Sequence, residues 1–426
     1  MGGGGLSAVE RSALDAVDET ALIEDLVQLV RVPSVTGTDA ESDLQARCAG
    51  QLVQLGLDVD AWRLDLDMVR AAPGFPGMEV PRTEGYGVVG TTEGQGPPAL
   101  VLQGHVDVVP TGDLARWAGV DPFCGSIQGR ALRGRGACDM KAGVAANVAV
   151  VRALRSAGFT FERPLAIHCV VGEEDGGVGA FATMLRGHRG EAAVITEPTS
   201  GTVVTAAAGA LTFRIEIAGR AAHGSTRTAG FSAFEAFFPI HRALRVLESA
   251  RNRGRDRLFA GNDLPYAVSI GMVRSGDWSS SVPDRLVADG RLGVRLDEDP
   301  RDARAAFERA VAAAASRDGW LRDHPPVVTW PGGQFASGRI DPNHPLVAEI
   351  AGSVADSTGR PSPPIAAVPY GSDLRLYAAA GIPTLHYGPG DVRLAHAPRE
   401  EVDLDELIEV TRSLVVLAVR RCGARR

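Results

Sequence analysis

Apolar positions follow two regimes along the chain. In the first half, solid apolar runs of strand length, at 100–102, 164–171 and 192–196, alternate with helical patterns. Such runs mark strands buried on both faces. The helical spacing of Leu14, Val17, Leu22, Leu26, Leu29 and Val30 predicts a helix over 7–32, ended by Pro33. Further helices are predicted over 41–55 and 144–156, and a strand over 57–64. Between them, 65–98 is rich in Gly and Pro, with one short strand at 87–89. It reads as an irregular surface insertion. Strands alternating with helices imply a mainly parallel sheet flanked by helices, the α/β class.

Near Thr205 the pattern changes. Leu211, Phe213, Ile215 and Ile217 alternate strictly, as on a half-buried strand. A helix over 232–250, strands over 268–273 and 285–296, a helix over 299–318 and a strand over 326–330 follow. That order predicts an α+β sandwich with an antiparallel sheet. The last third restores the first pattern, with helices over 344–358, 371–380 and 402–419 and a strand over 383–387. The expected organisation is one α/β domain made of 1–206 and 334–426, interrupted by an inserted α+β domain at 207–333.

The strand tips carry the chemistry. His105 and Asp107 follow the first apolar run. Residues two apart on an extended segment point the same way, so the carboxylate can stand behind the imidazole and fix its tautomer. The second run ends in Gly172-Glu173-Glu174-Asp175-Gly176-Gly177 and the third in Glu197. Asp139 precedes a helix, where its ordinary role is an N-cap. His396 lies in a loop near the C-terminus. In a parallel α/β sheet strand ends converge on one edge, which brings the acids and His105 together.

Imidazoles and carboxylates without thiolate suit zinc, with cobalt or manganese as substitutes. Because a carboxylate can bridge, two imidazoles and three carboxylates can hold two divalent metal ions. Metals about 3.5–4 Å apart polarise a carbonyl and acidify a bridging water. Of two adjacent glutamates, one can bind metal while the other serves as general base and passes a proton to a leaving amine. That is amide hydrolysis.

Composition narrows the partners. The chain has 426 residues, 45% hydrophobic, with a formal charge of -8 and no aromatic-rich basic patch. Nucleic acid is not an expected partner. No apolar stretch is long enough to span a bilayer, so no membrane is expected either. Five widely spaced cysteines without CxxC suggest a reducing cytoplasm. The run of glycines after Met1 carries no signal-peptide pattern and is expected to be disordered.

The segments GHVDVVP, GRGACDMKAG, GEEDGG, TEP, GRAAHGS, YGSDLR, GIPTLHYGPG and AHAPRE occur in this order. Together they resemble the dinuclear zinc peptidase and deacylase superfamily: acetylornithine deacetylase, succinyl-diaminopimelate desuccinylase, carboxypeptidase G and aminoacylase. The resemblance covers about 22–419, and the C-terminal motifs look most like the deacylases. It implies that His105 and Glu197 bind one metal, Glu174 and His396 the other, and that Asp139 bridges them, followed by a cis peptide bond. Glu173 would be the base and Asp107 would orient His105. His223, on the inserted domain, would stabilise the oxyanion, reaching the site across a homodimer interface in dimeric relatives. The inserted domain would be both lid and dimerisation surface. Arg375 and Arg295 are candidates for gripping a substrate carboxylate. Ser280 and Ser281 stand before Val282-Pro283, where many relatives carry a substrate-contacting Asn. The segment 65–92 is longer than in compact relatives, and either lines a pocket or decorates the surface.

The expected function is metal-dependent hydrolysis of an N-acyl amino acid or related small N-acyl amine. The alternatives are a carboxypeptidase or dipeptidase on small peptides and, in another class, a non-catalytic binding protein on the same scaffold. A dinuclear phosphatase lacks support, because no phosphate-cradling helix start accompanies the ligands.

Overall fold

The computed structural model describes residues 5–425; the expectation of a disordered glycine run falls on 1–4, outside the described residues, except for Gly5. The chain forms two compact units. Among the described residues one comprises 5–205, 339–366 and 373–425, the other 206–338 and 367–372.

The first unit is built on a nine-stranded mixed sheet. Its centre runs in the order Leu165–Val170, Leu100–His105, Ala193–Ile195, Thr384–His386, all parallel. Tyr86–Thr91 and then Asp58–Arg63 add antiparallel strands on one side. Every residue of the Leu100–His105 and Leu165–Val170 strands is buried, as expected of parallel strands covered on both faces. The helix Ala142–Ser156 is buried almost throughout. Its Asn147 amide donates to the Thr196 hydroxyl at 3.0 Å, which ties it to the strand leading to Glu197.

Some boundaries differ from the sequence reading. The single helix expected over 7–32 is two, Ala8–Asp15 and Glu19–Val30, because the Asp18 side chain accepts the Ala21 N–H and starts a second helix. The insertion contains a capped helix, Leu66–Ala71. Glu401–Asp403 pairs as a strand with Ala131–Arg133, and the closing helix begins only at Leu404. Asp139 is not the N-cap of the following helix. It has extended backbone (φ -119°, ψ 99°), and the Asp139–Met140 peptide is cis.

In the second unit, Val268–Ser275, Arg285–Val294, Gly209–Ala218 and Val327–Thr329 form an antiparallel sheet in that order. Leu211, Phe213, Ile215 and Ile217 point into a core shared with Ile240 and Leu244 of the helix Ala233–Arg251 and Phe307 of the helix Pro300–Ala315. Gln334–Phe335 pairs with the start of Gly209–Ala218, and the Arg291 guanidinium donates to the Pro369 carbonyl at 2.8 Å. Those bonds explain why 334–338 and 367–372 group with this unit.

His168 lies in the Leu165–Val170 strand, with Nδ1 2.8 Å from the Tyr377 hydroxyl. Burial pushes its pKa down to about 3. The folded chain therefore binds fewer protons here than the unfolded chain, and stability is lost as pH falls from about 6.5 towards 3. One such group contributes a slope of about 1.4 kcal/mol per pH unit in that window. Urea midpoints measured across it should flatten in His168→Gln; an unchanged slope would rule this contribution out.

Candidate metal centre

His105 ends its strand and is 1% exposed. Its Nδ1 lies 2.9 Å from the Asp107 carbonyl oxygen, while the Asp107 carboxylate is at 3.6 Å. The imidazole N–H therefore donates to the main chain, and Nε2 faces Asp139 Oδ1 at 3.2 Å and Glu197 Oε1 at 3.9 Å. The Asp107 carboxylate has another task. It accepts the N–H groups of Glu173 and Glu174, each at 3.2 Å, and the Thr36 hydroxyl at 2.9 Å. It thus fixes the backbone that presents both glutamates.

His396 approaches from the other side. Its Nε2 is 3.2 Å from Glu174 Oε2 and 3.5 Å from Asp139 Oδ2. The two oxygens of Asp139 therefore face different imidazoles. Candidate ligand atoms of His105, Asp139 and Glu174, and separately those of His105, Glu173 and Glu197, lie within 4.8 Å of one another.

The electrostatics fit a cation. Burial, with the charges of Glu197 and Asp373, pushes Glu173 well above the usual carboxylate range. Burial, with Asp139 and Glu174 nearby, does the same for Glu197 despite His105. Burial and Asp139 raise Glu174. Burial alone would raise Asp139 too, but hydrogen bonds from His105 and His396 outweigh it and hold it low. Those carboxylates in turn push His396 up to about 11. Glu174 Oε1 is buried with no hydrogen-bond partner among the described residues. Glu173, Glu174 and Glu197 would all be relieved by a cation, and the donor set of nitrogen and oxygen without thiolate suits divalent zinc, cobalt or manganese.

A model of peptidase family M20/M25/M40 matches residues 101–420. The chain belongs to that family. It is 27% identical over 432 residues to N-formyl-4-amino-5-aminomethyl-2-methylpyrimidine deformylase of Bacillus subtilis, covering 95% of this chain and 96% of that one. It is 27% identical over 410 residues to acetylornithine deacetylase of Proteus mirabilis, covering 92% and 94%. Its fold matches human carnosine dipeptidase 1 with a TM-score of 0.75 at 13% identity, covering 98% and 100%. The protein is thus an M20 hydrolase, in agreement with the reading of its motifs.

The M20 centre rests on a buried ion pair that sequence reasoning passed over. Glu400 Oε1 accepts the N–H groups of Gly136, Cys138 and Asp139 at 2.8, 3.1 and 3.2 Å. Its other oxygen pairs with Arg135. The Arg135 guanidinium also donates to the carbonyls of His396 and Pro110, at 3.2 and 3.3 Å. One pair thereby holds the loops bearing Asp139 and His396. Both residues stood inside recognised motifs, but nothing local signals a pairing across 265 positions.

Of the remaining candidates, Arg375 is 5% exposed and donates to the Gly176 carbonyl at 2.5 Å, which braces the Glu173 loop. Arg295, in the second unit, is exposed, and its backbone N–H donates to Glu298 at 2.8 Å. His223, also in the second unit, is exposed; its Nδ1 accepts the Ser225 N–H at 3.2 Å. Its neutral tautomer therefore carries the proton on Nε2.

Glu400→Ala should weaken zinc binding by about 10- to 100-fold. It should also cost about 3–5 kcal/mol of stability, because Arg135 is left buried and unpaired. Competition with a chromogenic chelator and urea unfolding check both; unchanged zinc affinity would show that Glu400 does not hold the site together.

Proposed function

We propose that this M20 hydrolase is a deacylase that cleaves the amide bond of an N-acyl amino acid or related small N-acyl amine. The observation that carries the reading is the division of Asp139, with Oδ1 towards His105 and Oδ2 towards His396. His105 and Glu197 would hold one divalent ion, Glu174 and His396 the second, and Asp139 both. When bound, such ions, zinc by choice of ligands with cobalt or manganese as substitutes, polarise a carbonyl and lower the pKa of water.

The chain's own residues would do the rest. Glu173 would take a proton from the attacking water at its carboxylate and deliver it to the departing nitrogen as the amide C–N bond breaks. A base whose pKa is raised by burial suits both halves of that transfer. Asp107 keeps Glu173 and Glu174 in place and sets the tautomer of His105. His223, with its proton on Nε2, would donate to the developing oxyanion. Arg295, exposed where Arg375 is buried against the Gly176 carbonyl, would pair with a substrate carboxylate. The deformylase and deacetylase relatives, matched over nearly their full lengths, support acyl removal.

The second unit would serve as lid and homodimer surface. Its Val268–Ser275 strand is a sheet edge with Met272 and Val273 exposed, and Phe234, Phe238 and Val246 are exposed on the adjoining helix. A paired edge would cover these groups. A cytoplasmic setting fits five free thiols. No described helix is long and apolar enough to cross a membrane.

Amine release by zinc-loaded protein should be assayed on N-formyl, N-acetyl, N-succinyl and N-aroyl amino acids beside dipeptides. One acyl class should be turned over, and Glu173→Ala should lose about 10²- to 10⁴-fold in kcat. Full activity in that variant, or activity without metal, would sink the mechanism; turnover of dipeptides alone would make the protein a peptidase. Sedimentation at micromolar concentration should give a dimer, and the double change Phe234→Glu and Phe238→Glu should give a monomer.

A further inference from the structure

The Gly- and Pro-rich segment 73–82 does more than decorate the surface. It lies along the turn that carries Glu173 and Glu174. The Glu79 N–H donates to the Asp175 carbonyl at 3.2 Å, and the Val80 N–H donates to the Asp175 carboxylate at 3.1 Å. Arg82 then enters the interior with its side chain fully covered. It donates to Glu41 at 2.9 Å and faces Asp175 at 3.5 Å. Glu41 in turn accepts the Gly172 N–H at 2.9 Å and the Gly37 N–H at 3.1 Å. Both ends of Gly172-Glu173-Glu174-Asp175-Gly176 are thus tied to the segment.

The two glycines record how close the contact is. A Cβ on Gly172 would fall 2.6 Å from the Arg82 guanidinium, and one on Gly176 would fall 2.3 Å from the Gly77 carbonyl oxygen. Both also have positive φ, 64° and 149°. Glycine is required at each position by the backbone and by the neighbour together.

We propose that segment 73–82 is a strap that sets the position of the Glu173–Glu174 turn, and that Arg82 is its positioning residue. The proposal rests on the deacylase reading for its kinetic consequence only; the strap itself is a statement about local structure. Arg82 has no route to substrate in this arrangement. It acts through the backbone of Gly172 and through Asp175. A misplacement of about 1 Å at a catalytic group can cost about 10²-fold in rate. Loosening the strap should therefore lower kcat more than it changes KM.

Two variants approach the strap from opposite sides. Arg82→Gln removes its charge, and Asp175→Asn weakens the bond from the turn while keeping Arg82 and Glu41. Hydrogen–deuterium exchange of each full-length variant should show faster exchange in peptides covering 78–82 and 172–177, with the Leu100–His105 strand still protected. The kcat should fall by about tenfold or more, with KM within about threefold. If Arg82→Gln does not fold, Asp175→Asn carries the same test. A folded variant whose exchange in both segments and whose kcat match the parent would overturn the proposal. The exchange result needs no substrate, so a strap that loosens in a protein inactive on every acyl compound would count against the deacylase reading and for the strap.

Discussion

Crowded negative charge in a buried place is the constraint around which this structure is arranged. Two carboxylates about 4 Å apart repel by about 4 kcal/mol at an effective dielectric of about 20. Asp139, Glu173, Glu174 and Glu197 all sit close to His105, with Asp107 and Asp373 behind them. No chain would hold them so by side-chain preference alone. Three of them, Asp139, Glu173 and Glu174, are held through their backbones. Asp107 grips the N–H groups of Glu173 and Glu174, and Glu400 grips those leading to Asp139. Charges of opposite sign, Arg82, Arg135 and Arg375, stand one layer further out. The strain of like charges is thereby kept at the tips of a rigid parallel sheet, where divalent cations can relieve it.

This arrangement explains why supporting acids outnumber the candidate ligands' own needs. Glu41, Asp107, Asp175 and Glu400 all accept backbone N–H groups of the loops around the site. A carboxylate that receives several backbone donors fixes a loop more firmly than a neutral acceptor would. The hydrogen bond from His105 to the Asp107 carbonyl shows the same economy. One residue sets an imidazole tautomer with its main chain and a loop with its side chain.

The sheet and the identity of the converging acids were legible in the sequence. Continuous apolar runs at 100–102, 164–171 and 192–196 announced buried strands, and each led within three residues to His105, Glu173–Glu174 or Glu197. Tip residues of parallel strands must share an edge, so their meeting followed from pattern alone. Asp139 was legible only as a candidate, since an aspartate before a helix is ordinarily a cap. Its turned-in side chain depends on three N–H groups that bind Glu400, far away along the chain. The break at Asp18 and the helix within the insertion were missed because each hangs on one capping hydrogen bond, which periodicity does not register.

The sequence by itself determined the α/β class, the alternating core of the inserted segment, the family and the convergence of His105, Glu173, Glu174 and Glu197 on one sheet edge. Each is a property of local pattern or of motif order, because burial imposes periodicity on neighbouring residues. Tertiary structure decided which oxygen of Asp139 faces which imidazole, that Asp107 serves two loops, and that Arg135 with Glu400 and Arg82 with Glu41 and Asp175 brace the site. Those are pairings between residues distant along the chain. Burial makes such partners obligatory, since an unpaired interior charge is too costly, but it leaves no periodic mark by which one partner could name the other.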